Sequence, residues 1–257
     1  MKNTVIFDEK KQSYSVREAF KTLRTNFLFC GDDIKTVLIT SCVKNEGKST
    51  VSLEFAKSLA ISEKKVLLID SDLRKSVLAS KCKFEGDGSL VGLSEYLSGQ
   101  ANLDDVLYST QHENLSLIFA GAVPPNPVEL LSSKKFEDLL AKMRAEYDYV
   151  VIDAPPLGAV IDASAISVFC DGAILIVTAN EISYHFANEV KSQLEKSNCR
   201  VLGTVLNRVP VKNGTYYNRY YRKYYGKYKK LGYDSKGYGY GYGYGYGEEP
   251  PAKKKKK

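Results

Sequence analysis

The chain predicts an α/β fold: a mostly parallel central sheet flanked by helices, followed by a disordered tyrosine-rich tail. Three stretches carry that expectation, residues 36–50, 65–74 and 149–156. Each begins with a short apolar run and ends in polar or acidic residues. That is the pattern of a strand buried on both faces, whose C-terminal end lines a ligand crevice. Amphipathic segments at helical spacing lie between the runs, so strands and helices alternate as in a wound parallel sheet. At 257 residues the chain suits one such domain plus tails.

The first stretch, TVLITSCVKNEGKST, organises the rest. Val37, Leu38, Ile39 and Thr40 read as a buried strand. A polar loop then turns into Gly47-Lys48-Ser49-Thr50, which opens a helix carrying Val51, Phe55, Ala56, Leu59 and Ala60 on its apolar face. A strand, a loop and a helix start make a phosphate cradle, because free backbone N–H groups and the helix dipole face the anion. Asn45, Glu46, Gly47, Lys48, Ser49 and Thr50 are the candidate nucleotide-contacting residues. Lys48 is placed to reach the β/γ-phosphates and Ser49 to hold Mg²⁺. Cys42 stands where the G-x-x-x-x-G-K-[ST] pattern has its first glycine. Asn45 stands where many such loops carry another, and Asn tolerates the left-handed conformation better than most residues.

The second and third stretches supply carboxylates. Residues 65–69 form a strand ending in Asp70-Ser71-Asp72, which puts two carboxylates at the crevice, able to meet a metal or a hydroxyl. Residues 149–152 form another, ending in Asp153-Ala154-Pro155-Pro156. This is the Walker B pattern, in which a strand-end acid holds Mg²⁺ directly or through water.

The remaining elements follow in order. Residues 1–14 are expected as an extended or loosely ordered arm. Ser15-Val16-Arg17-Glu18 has capping-box form and starts a helix with Val16, Phe20, Leu23 and Phe27 inward. Glu18, Lys21 and Arg24 form a charged stripe beside that face. Residues 75–115 are expected as a short helical excursion with loops, with small amphipathic pieces at 93–97 and 103–107. A strand follows at 115–120. Asn126-Pro127-Val128-Glu129 opens a helix, and a second helix covers 134–145. Strands at 173–177 and 201–206 bracket a helix at 185–197. Asn207 and Arg208, just past the last strand, are placed where an adenine could lie.

Composition excludes several classes. No apolar run reaches the ~18–20 residues of a membrane span, and no signal-peptide pattern opens the chain, so a cytoplasmic protein is expected. Five cysteines without CxxC spacing predict reduced thiols rather than disulfides or zinc. With only His112 and His185, a histidine-based nucleophile or metal site is a poor fit. Charge is uneven. The chain is +7 overall, yet residues 212–257 carry 13 Lys/Arg against 3 Asp/Glu, +10, which leaves −3 on residues 1–211. The α/β domain is therefore bounded at 15–211 and the basic tail at 212–257.

In that tail Tyr216, Tyr217, Tyr220, Tyr221, Tyr224, Tyr225 and Tyr228 alternate with Arg, Lys, Asn and Gly. Thirteen of the chain's 19 tyrosines lie there. With almost no aliphatic residues it cannot build a core of its own. Three uses fit the composition: stacking on nucleic-acid bases, adhesion to anionic membrane, and tyrosines that are themselves substrates.

EAFKTLRTN (18–26), EGKST (46–50), LLIDSDLR (67–74), PPNPVELL (124–131), VVIDAPP (150–156) and the tyrosine cluster together resemble the bacterial tyrosine kinases of Gram-positive type. Those act in capsule and exopolysaccharide synthesis, and the resemblance covers nearly the whole chain. It implies a P-loop NTPase-like fold, ATP and Mg²⁺ as cofactors, and catalysis by Lys48, Asp70, Asp72 and Asp153. Metal would be held by Ser49, Asp72 and Asp153. Asp70 would receive the tyrosine proton and Asp72 would serve metal, with those two roles open to exchange. The resemblance also implies autophosphorylation of the tail tyrosines in trans within a homo-oligomeric ring, an octamer. The ring motif would fall on Glu18, Lys21 and Arg24. Here Lys21 replaces a guanidinium, so the bidentate pairing that Arg makes is lost. A transmembrane activator, a polysaccharide co-polymerase, would recruit the protein to the inner face of the membrane. Protein tyrosines would be substrates and no specific nucleic acid a partner. The competing reading is a partitioning-type P-loop ATPase that binds membrane or nucleic acid through its basic tail. Such proteins carry an early lysine on Gly-Gly in the loop, where this chain has Val43 and, one residue later, Lys44.

Overall fold

Strands buried on both faces call for apolar runs, and two central strands of this chain are buried at every position around such runs. These are β2 (Thr36–Ser41) and β3 (Val66–Asp70). They lie either side of β7 (Tyr149–Asp153), and β8 (Gly172–Thr178) flanks β2 on its other side. The structure, a computed structural model, describes residues 4–8, 12–85 and 90–209. The tail, with Tyr216, Tyr217, Tyr220, Tyr221, Tyr224, Tyr225 and Tyr228, lies outside the described residues.

The other strands are β1 (Thr4–Phe7), β4 (Cys82–Glu85), β5 (Tyr108–Thr110), β6 (Leu115–Ile118) and β9 (Val201–Asn207). Among the described residues they form one sheet in the order β4-β1-β5-β6-β3-β7-β2-β8-β9. All pairings from β6 to β9 are parallel. Only β1 with β4 and β5 with β6 run antiparallel.

Helices cover both faces. On one lie α1 (Tyr14–Leu28) and α2 (Lys48–Ala60), where Phe27, Phe55 and Leu59 pack on Val37, Ile39, Leu68 and Val151. On the other lie α3 (Leu93–Ser98), α4 (Leu103–Val106), α5 (Pro127–Leu131), α6 (Lys134–Glu146), α7 (Asp162–Ser167) and α8 (Tyr184–Lys196). Their Leu97, Phe136, Ile166 and Leu194 meet Leu38, Leu67, Ile69, Ile152 and Leu175. Successive residues of one strand thus enter opposite cores, as the two-residue side-chain period requires. Each fully buried Leu, Ile or Phe contributes on the order of 2 kcal/mol.

Four expectations change. Residues 4–7 are extended as expected, but they belong to the sheet rather than to an arm: β1 pairs with β4 and β5. The cap of α1 is Ser13, whose Oγ accepts the Val16 N–H, so Ser15 falls inside the helix and Glu18 turns to Lys21 instead of closing a box. The 75–115 region contains β4 and β5, each short and made regular by its neighbours more than by its own pattern. The helix α7 was not expected.

Candidate active site

The three acidic strand ends and the phosphate loop meet because β2, β7 and β3 are adjacent and parallel. Asp70 and Asp153 stand directly opposite each other in the β3–β7 ladder. Asp70, Asp72 and Asp153 are 1%, 5% and 0% exposed, so the crevice holds buried carboxylates that demand compensation. Asp72 N–H donates to Asp70 Oδ1 at 3.1 Å, and the Ser76 hydroxyl donates to Asp70 Oδ2. Asp72 Oδ1 accepts the Lys75 N–H at 3.0 Å. Ser52, one turn after Lys48 on α2, donates to Asp153 Oδ1 at 3.0 Å.

Lys48 is the counter-charge. Its Nζ lies 2.9 Å from Asp72 Oδ2 and 3.9 Å from Asp153 Oδ1. Burial pulls its pKa down, but Asp153 and Asp72 outweigh burial and hold it above its ordinary value. The sequence reading treats Lys48 as a residue that contributes to the ligand alone. It is instead a buried member of an ion-paired network with Asp72 and Asp153. Burial, reinforced by Asp153, pushes the Asp70 carboxyl up to about 7. Burial also raises Asp153, with Lys48 opposing.

The loop takes its shape from its own residues. Asn45 has φ +65°, the left-handed conformation expected of it in place of glycine. Gly47 has φ +87°, and a Cβ there would lie 2.4 Å from Asn207 Nδ2, so glycine is required twice over. Glu46, predicted among the nucleotide contacts, turns its carboxylate inward: Oε2 accepts Val43 N–H at 2.8 Å and Oε1 accepts Thr178 N–H at 2.7 Å. It staples the loop to the end of β8, and only its backbone is left for a ligand. Asn207 and Arg208 also brace the loop, Nδ2 donating to Glu46 O at 2.7 Å and Nη2 to Asn45 O at 2.6 Å. Arg208 lines the crevice as well. Cys42 is fully buried and its thiol is pushed up to about 12 by burial, so it acts as a small apolar side chain where glycine usually stands.

The cavity over the loop has a volume of about 360 Å³, with Lys48, Ser49, Thr50, Asp72 and Arg208 on its polar side and Pro155, Pro156 and Val160 on its apolar side. Asp153 Oδ2 is buried and has no hydrogen-bond partner among the described residues. An orphaned carboxylate oxygen on the network that contains Ser49 and Asp72 suits a hard divalent cation.

Several contributors were missed. Ser52 and Ser76 hold the carboxylates, and Ser52 was signalled only by its position four residues after Lys48. Arg74, quoted as part of LLIDSDLR, makes a bidentate pair with the fully buried Asp162 at 2.7 and 3.1 Å. Lys81 also lines the cavity. The stripe is divided: Glu18 and Lys21 pair at 2.7 Å, while Arg24 donates to Ser58 O at 2.7 Å on α2. Asp70, Asp72, Asp153, Lys48 and Ser49 are brought together; Glu18, Lys21 and Arg24 lie apart from them on α1.

The fold and crevice define a P-loop NTPase of the α/β class. A family model described as an AAA domain matches residues 38–202. The tyrosine-protein kinase CpsD of Streptococcus agalactiae serotype Ia is 40% identical over 212 residues, 82% of this chain and 90% of that one. The chimerical protein CapA2B2 superposes with a TM-score of 0.72 at 31% identity, over 79% of this chain and 88% of that one. The septum site-determining protein MinD of Pyrococcus horikoshii, complexed with Mg-ADP, gives 0.58 at 26% identity, over 70% and 72%. The chain belongs to the bacterial protein-tyrosine kinases. Among the described residues no helix is long and apolar enough to cross a membrane.

Proposed function

We propose that this kinase uses ATP with Mg²⁺ to phosphorylate tyrosines of its own C-terminal cluster in trans, within a ring of identical subunits, and so regulates capsular or extracellular polysaccharide synthesis and export. The observation that carries the reading is the meeting of Lys48 with Asp70, Asp72 and Asp153 at one crevice, beside the phosphate loop. A plain nucleotide hydrolase has less use for the second acidic pair.

When bound, ATP supplies the phosphoryl group and Mg²⁺ neutralises its charge. Ser49 and Asp153, with Asp72 once Lys48 has left it, are the residues that would hold the cation. Lys48 then binds the β/γ-phosphates. Asp70 accepts the proton from the tyrosine hydroxyl, whose ordinary pKa near 10 leaves it a poor nucleophile without such help. In a loose phosphoryl-transfer transition state these residues act mainly by position and charge. Glu18, Lys21 and Arg24 form the contact between subunits. The domain boundaries 15–211 and 212–257 separate catalyst from acceptor. A membrane-anchored activator recruits the enzyme to the inner membrane face, a reading supported by similarity to the CapA2B2 chimera.

The test is purified protein with ATP and Mg²⁺, with and without a candidate activator peptide, read by anti-phosphotyrosine blot. A signal that requires both ATP and Asp70 is expected. ATP hydrolysis without phosphotyrosine under either condition would return the protein to the partitioning-type ATPases.

A further inference from the structure

Lys81 is a cation that neither the phosphate-loop motif nor the acidic motifs assign. It closes the short 3₁₀ turn Ala79–Lys81 after β3, and its half-buried side chain crosses to the first turn of α2. There Nζ donates to Thr50 Oγ1 at 2.5 Å. The backbone is fixed at both ends: Lys81 N–H donates to Leu78 O at 3.0 Å, and Lys81 O accepts Asp8 N–H at 3.2 Å. Leu78 is itself fully buried.

Of the other cations lining the cavity, Lys44 and Lys75 are exposed, and the remaining three are committed elsewhere. Lys48 sits on Asp72, Arg74 on Asp162, and Arg208 on a loop carbonyl. Among the described residues Lys81 has a neutral hydroxyl as its hydrogen-bond partner and no carboxylate within ion-pairing distance. Burial lowers its pKa, with the more distant Asp153 and Glu54 opposing. An ammonium held this way is costly unless an anion joins it. It faces the cavity above a helix start, where an anion is the expected guest.

We propose that Lys81 is a nucleotide-binding residue whose ammonium contacts the α/β end of the phosphate chain, complementing Lys48 at the β/γ end. The placement follows from Thr50, which lies two residues beyond Lys48 in the first helical turn. The backbone at such a helix start cradles the α/β-phosphates while the motif lysine reaches further out. The inference rests on the ATP-dependent reading above. A contact at the α/β end is made equally before, during and after transfer. It therefore lowers KM for ATP and leaves kcat alone.

The experiment compares wild type, Lys81→Gln and Lys81→Arg by calorimetric titration with Mg-ADP, by steady-state kinetics in ATP, and by thermal melting without nucleotide. Loss of one charge-assisted hydrogen bond should weaken ADP binding about tenfold in Lys81→Gln. KM for ATP should rise by about the same factor with kcat within about twofold. Lys81→Arg should recover most of the affinity, and the melting temperature without nucleotide should not move. Unchanged ADP affinity in Lys81→Gln would overturn the assignment. So would a loss that Arg does not recover and that comes with a lower melting temperature, since that marks a brace for α2. Absence of Mg-ADP binding by the wild type itself would instead sink the ATP-dependent reading.

Discussion

Replacing Asp70 by Asn should make the protein more stable and inactive at once. Asp70 is 1% exposed, and its carboxyl is pushed from 3.8 up to about 7 by burial and by Asp153. In the unfolded chain it ionises near 3.8, whereas the folded protein keeps the proton until about 7. Between those values the folded state binds more protons, so wild-type stability falls as pH rises through the window and is level above it. About three pH units correspond to roughly 4 kcal/mol at ~1.4 kcal/mol per unit. Asn is neutral throughout and keeps an acceptor for the Asp72 N–H. The stability gap between Asp70→Asn and wild type should therefore be small near pH 4 and grow to about 4 kcal/mol by pH 7.5. For a domain of this size that is a melting-temperature gain of roughly 8–16 °C. The assay is thermal and urea unfolding from pH 4 to 8, without nucleotide or divalent metal, beside a phosphotyrosine blot at pH 7.5. A gap that stays constant with pH would refute the argument, because it would mean that the Asp70 charge is not what the fold pays for.

Other expectations follow from the same contacts. Lys48→Met should abolish phosphotyrosine formation and, because it leaves Asp72 and Asp153 without their cation, lower stability by about 3–5 kcal/mol in urea unfolding. Glu18→Ala and Arg24→Ala should both shift the assembly to smaller species by light scattering. Only Arg24→Ala should also lower the melting temperature, since Arg24 donates to Ser58 O whereas Glu18 forms an exposed pair worth about 0.3–0.5 kcal/mol. Unchanged mass for both would mean that the stripe is a solvated face and not a contact between subunits. The +10 tail should lose its charge after roughly five or six phosphorylations at about −1.5 to −2 each, so ATP should disperse wild-type rings faster than a form with all 13 tail tyrosines changed to Phe. Equal rates would assign dispersal to nucleotide binding.

What the sequence disclosed depended on how local its cause was. The strands β2, β3, β7 and β8 are built around continuous apolar runs, as burial on both faces favours, and so they were legible within a residue or two. Gly47 and Asn45 were legible because a left-handed turn admits few residues. By contrast β4 and β5 are held by neighbours: Cys82–Glu85 becomes a strand by lying against residues 4–7, far back in the chain. The same distinction runs through the site. Asp70, Asp72 and Asp153 announce themselves by ending strands. Ser76 and Lys81 carry no pattern, since their roles come from where the chain after β3 folds back over α2. The role of the Glu46 side chain was not legible, because its carboxylate answers to Thr178, 132 residues away.

The network around Lys48 also bears on how binding must proceed. With no ligand, one ammonium serves Asp72 and Asp153, and burial keeps Asp70 near its midpoint at neutral pH. Moving Lys48 to a phosphate strands Asp72 and Asp153 as buried anions, a cost that the nucleotide's own negative charge only increases. A divalent cation held by Asp153 and Asp72 would remove that cost. On the proposed ATP- and Mg²⁺-dependent reading, nucleotide and cation would therefore bind as partners, with Asp72 and Asp153 holding the cation once Lys48 turns to phosphate. By reciprocity each must strengthen the other's binding by the same factor. On that reading the coupling would reside in the Lys48–Asp72 pair, and the crevice would favour a metal-bound nucleotide over a bare one.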